Sequence, residues 1–377
     1  MPADGPMQSM PSADISDVSN QPLPMTLEEI TPAWLTLALQ SKTPGVTVRA
    51  AEIVDVVRGT CTKVRIRLDV GEAGRRAGIP ERVILKGGFE AHSRHMAALH
   101  ELEVRGYRDV LGHLGLPSPA CYFALYRPDQ LQGIVIMEDL SVRKVDFCDA
   151  LRPQTFEQVA ARLSLLARFH AKTWDSPELE QGRWTWLTRG MPAIRDLFVR
   201  DHLQPEVWSR FVKSPRGAAA SVRFHDMEWA RETLDRLVRL SNRLPHVVLH
   251  GDAHLGNTYI EPNGAHGFYD PCTQRDHVMR DVGYHLAAAL DTADRRRWEG
   301  PLLQHYLDEL ARNGVEAPAF DEFLHIYKAY LALGLLIFLC NNAVFQSEAV
   351  NTANVARFSA AMIDHDTVSV LESIDKE

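Results

Sequence analysis

The sequence predicts an α+β fold of two lobes, an antiparallel β-sheet N-lobe and a mainly helical C-lobe. Three observations predict it. Strand-like alternation is concentrated between residues 45 and 137, and from 151 to 377 the apolar spacing becomes helical. With 377 residues and 45% hydrophobic content, the chain is long enough to bury two sizeable cores.

Taken in order, residues 1 to 24 are rich in Pro, Ser, Asp and Met and read as a disordered tail, lacking the basic start and apolar core of a signal peptide. The N-lobe is expected over 25–137. Within it, Val54–Leu68 reads as two alternating strands around a turn containing Gly59, Thr60 and Thr62. Backbone amides there suit phosphate oxygens, although one glycine is an ordinary hairpin turn more often, and no GxGxxG or Walker A pattern is present. Arg82–Lys86 is an apolar strand ending in a lysine. His100–Tyr107 has helical spacing and carries Glu103, with Glu101 as its neighbour if the register shifts. Gly133–Leu140 is a buried strand with an acidic exit, and 138–150 forms a linker into the C-lobe over 151–377. There, Phe156–Trp174 is amphipathic, and a last helix is expected near Ala353–Leu371.

The chemistry centres on His250-Gly-Asp-Ala-His-Leu-Gly-Asn257, preceded by Val247-Val-Leu and followed by Phe268-Tyr-Asp270. A strand, a polar loop and a hairpin turning at Pro262-Asn-Gly264 bring one carboxylate beside an amide and a second carboxylate. That is the minimum equipment for Mg²⁺-dependent phosphoryl transfer. Asp252 is the candidate to orient and deprotonate an attacking hydroxyl. Mg²⁺ prefers oxygen ligands, and Asn257 and Asp270 supply them. His250 and His254 are expected to donate ring N–H bonds to backbone carbonyls and lock the loop. The competing reading is a zinc or di-metal hydrolase built from His250, Asp252 and His254 with His266, Asp270 and His277. Such a site would have no use for Lys86, the natural clamp for α- and β-phosphates, or for Glu103 as its partner seventeen residues downstream.

The order of these parts resembles the aminoglycoside-phosphotransferase and choline-kinase superfamily, most closely its ecdysteroid-kinase-like branch. The matching pieces are Ile30-Thr-Pro-Ala-Trp-Leu35 as a first helix, Lys86, Glu103 with Tyr107, Met137-Glu-Asp-Leu140, Leu166–Trp174, His250-Gly-Asp-x-His-x-x-Asn257, Asp270 and Arg280-Asp-Val-Gly-Tyr284. The resemblance implies a bilobal protein-kinase-like fold and an ATP-dependent kinase acting on a small-molecule hydroxyl. It implies Asp252 as base, Asn257 and Asp270 as Mg²⁺ ligands, Lys86 as phosphate clamp, and Met137, Glu138, Asp139 and Leu140 as the hinge whose backbone pairs with adenine. Asp281 is implied as a structural acceptor beneath the catalytic loop. Relatives often carry Ile-Asp-Trp at the second metal carboxylate, whereas this chain has Tyr269-Asp270-Pro271. A pseudokinase of the same fold would usually lack one of Lys86, Asp252, Asn257 or Asp270, and all four are present.

The aromatic stretch 175–217 is where a lid over the acceptor is looked for, and Tyr327, Tyr330, Phe338, Asn341, Asn342, Phe345 and Gln346 are read as the opposite wall, although for any one of these aromatics helix-packing core is the commoner role. Such a wall suits a bulky apolar alcohol, such as a steroid or terpenoid. A formal net charge of −8 argues against nucleic acid as partner, and Arg295-Arg-Arg297 reads as a solvated helix face. Five scattered cysteines without CxxC spacing fit a reduced cytoplasm. The apolar run Ala329–Cys340 is too short to span a bilayer, which takes ~20 residues, and is expected to be a buried helix rather than a membrane segment.

Overall fold

A computed structural model describes residues 21–59 and 61–376. Residues 1–20 of the expected tail therefore lie outside the described residues, as does Thr60 of the first turn. At the tail's far end the expectation does not hold. Leu23 is buried, and its backbone exchanges two hydrogen bonds with the Gln130 carboxamide.

The N-lobe opens with α1 (Pro32–Gln40), started by the Thr31 hydroxyl, which accepts the Trp34 N–H, and by Pro32 at its first position. There follow β1 (Val48–Val57), β2 (Thr62–Val70), α2 (Glu72–Arg76), β3 (Arg82–Gly87), α3 (Ala97–Arg105), β4 (Cys121–Arg127) and β5 (Gln132–Glu138). The strands form one five-stranded antiparallel sheet in the order β1-β2-β3-β5-β4. Because side chains alternate along a strand, Val64, Ile66, Val83, Leu85, Ile134 and Ile136 pack with α1 in a core of their own, which Trp34 and Phe123 close edge to face. Lys63, Arg65, Ile84, Lys86, Val135 and Met137 consequently take the opposite face. At its C-terminal end α3 loosens into a π-turn over Gly106–Val110.

The C-lobe is mostly helical. It begins with β6 (Asp146–Phe147), α4 (Phe156–Ala171), α5 (Glu178–Gln181), α6 (Gly190–Asp201), α7 (Pro205–Val212), α8 (Pro215–Ala219) and α9 (Met227–Ser241). Short strands come next: β7 (Val247–Val248), β8 (Thr258–Ile260), β9 (His266–Phe268) and β10 (Arg275–Asp276). β7 pairs with β10, and β6, β8 and β9 form a small antiparallel sheet. Then α10 (Met279–Ala289), α11 (Thr292–Arg312), α12 (Phe320–Cys340), α13 (Glu348–Asp364) and α14 (Thr367–Ser373) close the lobe.

Several expectations about this lobe are corrected. The last helix is two, broken where Asp366 turns left-handed at φ +45°. Arg295 is not on a solvated face, for it is fully buried and paired with Glu299 and Asp364. Trp184, Phe198 and Trp208 of the presumed lid belong to the core, as do Tyr327, Tyr330 and Phe338 of the presumed acceptor wall. Packing a helical lobe of this size consumes aromatic side chains, and periodicity alone does not separate them from a pocket lining. α12 is longer than the apolar run that suggested it. By length and composition its 21 residues suffice to cross a membrane, yet 78% of its most apolar window is buried in the fold.

Candidate active site

The segment from β7 to α10 is ordered by one buried carboxylate. Asp281, in the first turn of α10, accepts the backbone N–H of His250 at 2.8 Å and that of Gly251 at 2.9 Å. His170 on α4 meets the same carboxylate at 3.2 Å through one ring nitrogen and the Tyr306 hydroxyl at 2.8 Å through the other. Burial would raise the Asp281 carboxyl, but these bonds outweigh it and hold the group below the ordinary carboxylate value. Gly251 has φ +85°, and a Cβ there would fall 1.9 Å from the Cys272 carbonyl oxygen, so only glycine fits.

The two motif histidines differ. His250 Nε2 donates to the Tyr269 carbonyl at 3.1 Å, as expected, while Nδ1 accepts the Asp252 N–H at 3.3 Å. Both ring nitrogens are thus spent on the loop, and burial lowers the pKa of the ring. His254 departs from expectation. Its Nδ1 accepts the Gly256 N–H at 3.0 Å instead of donating to a carbonyl, capping the turn Leu255–Asn257. Its other nitrogen meets the Gln346 carboxamide at 3.0 Å and lies 3.7 Å from Asp252 Oδ2.

Asp252 stands at the mouth of this loop with its side chain 41% exposed. Asn257 directs its amide N–H groups at Asp252, 2.9 Å to the carbonyl oxygen and 2.9 Å to Oδ2. The amide oxygen of Asn257 therefore lies on the branch turned away from Asp252. One backbone bond carries the geometry on to the next carboxylate, since the Tyr269 N–H donates to the Asn257 carbonyl at 3.0 Å.

Asp270 joins the lobes. It adopts φ +55°, and its N–H donates to the Tyr107 hydroxyl at 3.0 Å. Lys86 Nζ, buried on β3, lies 2.8 Å from Asp270 Oδ1 and is also bonded to Glu103 on α3. Glu101 is occupied by Arg105 one turn on, so Glu103 is the partner. Burial would lower the Lys86 ammonium, but Asp270 and Glu103 hold it well above the ordinary lysine value. Burial likewise raises Glu103, and Lys86 offsets that only in part. Against the same burial, Lys63 and Lys86 keep the Asp270 carboxyl far below its ordinary range. Pro271 has a defined place, for its ring packs where Gly106 opens the π-turn and would meet a Cβ there at 2.8 Å. It seats the segment after Asp270 against the end of the helix that carries Glu103.

Between the lobes a cavity is lined by Ile84, Lys86, Met137, Leu140, Tyr269 and Asp270. Glu138 and Asp139 also border it. Asp139 is committed to structure, since Oδ1 accepts from the Ser141 backbone and hydroxyl and Oδ2 from Arg65 at 2.9 Å. In the β1–β2 turn, the Gly59 carbonyl meets His92 Nε2 at 2.9 Å. The Thr62 side chain is buried and bonded to Glu90 at 3.3 Å, so its hydroxyl braces the turn from behind.

Three positioning groups escaped the sequence reading: Lys63, which lies 2.9 Å from Asp270 Oδ2; His170, beneath Asp281; and the Arg162–His285 pair. His285 Nδ1 donates to the Ala253 carbonyl at 2.7 Å, and its Nε2 accepts from Arg162 at 3.0 Å. Lys63 and the Arg162–His285 pair had only a local signal, an alternating strand and helical spacing, whereas His170 lies within Leu166–Trp174, one of the pieces that carry the family resemblance, with no role assigned to it there. Among the described residues, no group of three or more His, Cys, Asp or Glu is arranged to hold a metal ion by itself.

Residues 84–318, more than half of the chain, match the model of the phosphotransferase enzyme family. The chain belongs to this family. None of the curated proteins matches it. Among solved structures, the phosphotransferase is similar to a choline/ethanolamine kinase family protein from Mesorhizobium loti, at 14% identity and TM-score 0.44 over 90% of this chain and 95% of that one. Choline kinase LicA from Streptococcus pneumoniae aligns at 13% identity and TM-score 0.42, covering 86% and 94%. The amicoumacin kinase hAmiN, solved with AMP-PNP, Ca²⁺ and Ami, aligns at 13% identity and TM-score 0.47, covering 83% and 88%. These similarities add nothing about the substrate of the phosphotransferase.

Proposed function

We propose that this phosphotransferase is a small-molecule kinase that transfers the γ-phosphoryl group of ATP to an alcohol, with Asn257 and Asp270 as ligands of Mg²⁺. One observation carries the reading. Lys86 and Asp270, 184 residues apart in the chain, meet at 2.8 Å across the cavity between the lobes. A buried lysine braced by Glu103 and facing a carboxylate is the arrangement that grips phosphates beside a metal.

The donor set suits a hard cation that shares its ligands with a nucleotide, because Asn257 and Asp270 offer oxygens while both nitrogens of His250 are spent on the loop. When bound, Mg²⁺ would neutralise triphosphate charge. The chain's own residues do the rest. Adenine would lie against Met137 to Leu140 beside the apolar Ile84 and Met137, where the Glu138 N–H already donates to Ala120 and the Asp139 carbonyl accepts from Val142. Asp252, half open to solvent and steadied by Asn257, receives the acceptor hydroxyl and takes its proton as the O–P bond forms. Asp281, with His170 behind it, keeps the loop in place so that Asp252 does not reorient during the step.

The acceptor we favour is an alcohol with an apolar body, such as a steroid or terpenoid, as in the ecdysteroid-kinase-like branch. Exposed Val344 and Phe345 support it, standing beside Gln346, which touches the catalytic loop at His254. The unpaired thiols of all five cysteines support a reducing cytoplasmic setting.

The test is incubation with ATP or GTP, Mg²⁺ or Zn²⁺, and a panel of alcohols, read by mass spectrometry for addition of one phosphoryl group. Mg²⁺-dependent transfer supports the kinase. Zn²⁺-dependent hydrolysis would favour the hydrolase, and nucleotide binding without any turnover a pseudokinase.

A further inference from the structure

Lys63 stands beside Asp270 but has no part in the chemistry proposed above. On the antiparallel β2–β3 pair it stands directly opposite Lys86. Like charges opposed in this way are destabilising unless something is shared between them. What they share comes from the other lobe, for Asp270 accepts from Lys86 on Oδ1 at 2.8 Å and from Lys63 on Oδ2 at 2.9 Å. The two lysines are not held equally. The side chain of Lys86 is 6% exposed and has Glu103 as a second carboxylate. Lys63 is 40% exposed and, beyond Asp270, has the face of Tyr269, 5.7 Å from the ring centroid. A divalent cation taking an oxygen of Asp270 would displace Lys63 first.

We propose that Lys63 is a tethered counter-ion of Asp270 that makes metal binding depend on nucleotide binding. In the free enzyme it neutralises one oxygen of Asp270, and in the loaded enzyme it is released to the triphosphate. The inference rests on the reading of Asp270 as a metal ligand. A bare cation would take up the Asp270 charge and leave the Lys63 ammonium facing that of Lys86 with no carboxylate of its own, whereas nucleotide phosphates supply an anion for it. Metal and nucleotide therefore favour each other, and by linkage each raises the affinity of the other by the same factor. Lys63 is a positioning residue, and its role shows in binding before any turnover.

The experiment measures Mn²⁺ binding by electron paramagnetic resonance of the free aqua ion, with and without AMP-PNP, for the wild type, Lys63→Met, Lys63→Arg and Asp270→Asn. In the wild type, AMP-PNP should tighten Mn²⁺ binding by roughly tenfold or more. Lys63→Met should bind Mn²⁺ alone several-fold more tightly than the wild type, with the enhancement by nucleotide falling toward one. Lys63→Arg should keep the enhancement. Unchanged thermal melting shows that the variants fold. If Lys63→Met binds Mn²⁺ alone no better than the wild type and keeps the full enhancement, the role of Lys63 is overturned while the kinase reading stands. If Asp270→Asn binds Mn²⁺ and nucleotide as the wild type does, Asp270 is not the ligand and both readings fall.

Discussion

The Tyr107 hydroxyl accepts the backbone N–H of Asp270 at 3.0 Å, so the helix that positions Glu103 also holds the backbone of the proposed metal ligand. Asp270 sits at φ +55°, a conformation non-glycine residues adopt only when their surroundings hold them there. Tyr107→Phe keeps the ring and removes that acceptor. We expect a several-fold rise in the Mg²⁺ concentration needed for half-maximal turnover, with a smaller change in kcat at saturating metal. Equal metal dependence of variant and wild type would show that the bond does not matter.

Lys86 and Glu103 form a buried pair, and removing one partner leaves the other charge uncompensated. Lys86→Met should cost about 3–5 kcal/mol of stability and abolish turnover. Lys86→Met with Glu103→Leu should regain most of the stability without regaining activity. Thermal melting and a turnover assay separate the two effects. A double variant as unstable as the single one would contradict the pairing.

Asp252→Asn is nearly isosteric and can still bond to Asn257, but it cannot accept the proton of an alcohol. We expect near-normal ATP binding by calorimetry and a loss in kcat of about 10²- to 10⁴-fold. A variant within about threefold of the wild type, where chemistry limits the rate, would remove Asp252 from the role of base.

Asp281→Asn exchanges a carboxylate oxygen for an N–H group facing the His250 and Gly251 amides. One buried donor then loses its acceptor, at a cost of about 1–3 kcal/mol. Activity should fall through kcat, with nucleotide affinity held within a few-fold, because the loop of the proposed base Asp252 and not the Met137–Leu140 stretch is loosened. A rise in the KM for ATP at constant kcat would be the contrary result.

Burial pushes the His277 and His285 rings from their ordinary 6.5 down to about 3. Both stay neutral in the folded protein over the range in which the unfolded chain takes up protons. Stability is therefore fully present above pH 6.5 and is lost as the pH falls from 6.5 toward 3. His285→Gln can still donate to Ala253 and accept from Arg162, and it should flatten the acid limb of a plot of melting temperature against pH. An unchanged slope would show that His285 does not contribute to it.

The sequence by itself determined the lobes and their order, the antiparallel sheet, the hairpin after the His250–Asn257 loop, and Lys86, Glu103, Asp252, Asn257 and Asp270 as the candidate residues. These were legible because strand alternation, turn chemistry and the spacing of a loop motif are local properties. The tertiary structure alone decided which chains of contact hold that set in place. Helical periodicity marks His170 and Arg162 on helix faces, but only packing brings one under Asp281 and the other onto His285. The same packing settled Tyr327, Tyr330 and Phe338 as core and not as acceptor wall, two roles that periodicity leaves open. Lys63 is the sharpest case. Alternation puts it on the face opposite Val64 and Ile66, and nothing local says whether that face meets solvent or Asp270. The answer depends on 207 residues of intervening chain folding back to one carboxylate.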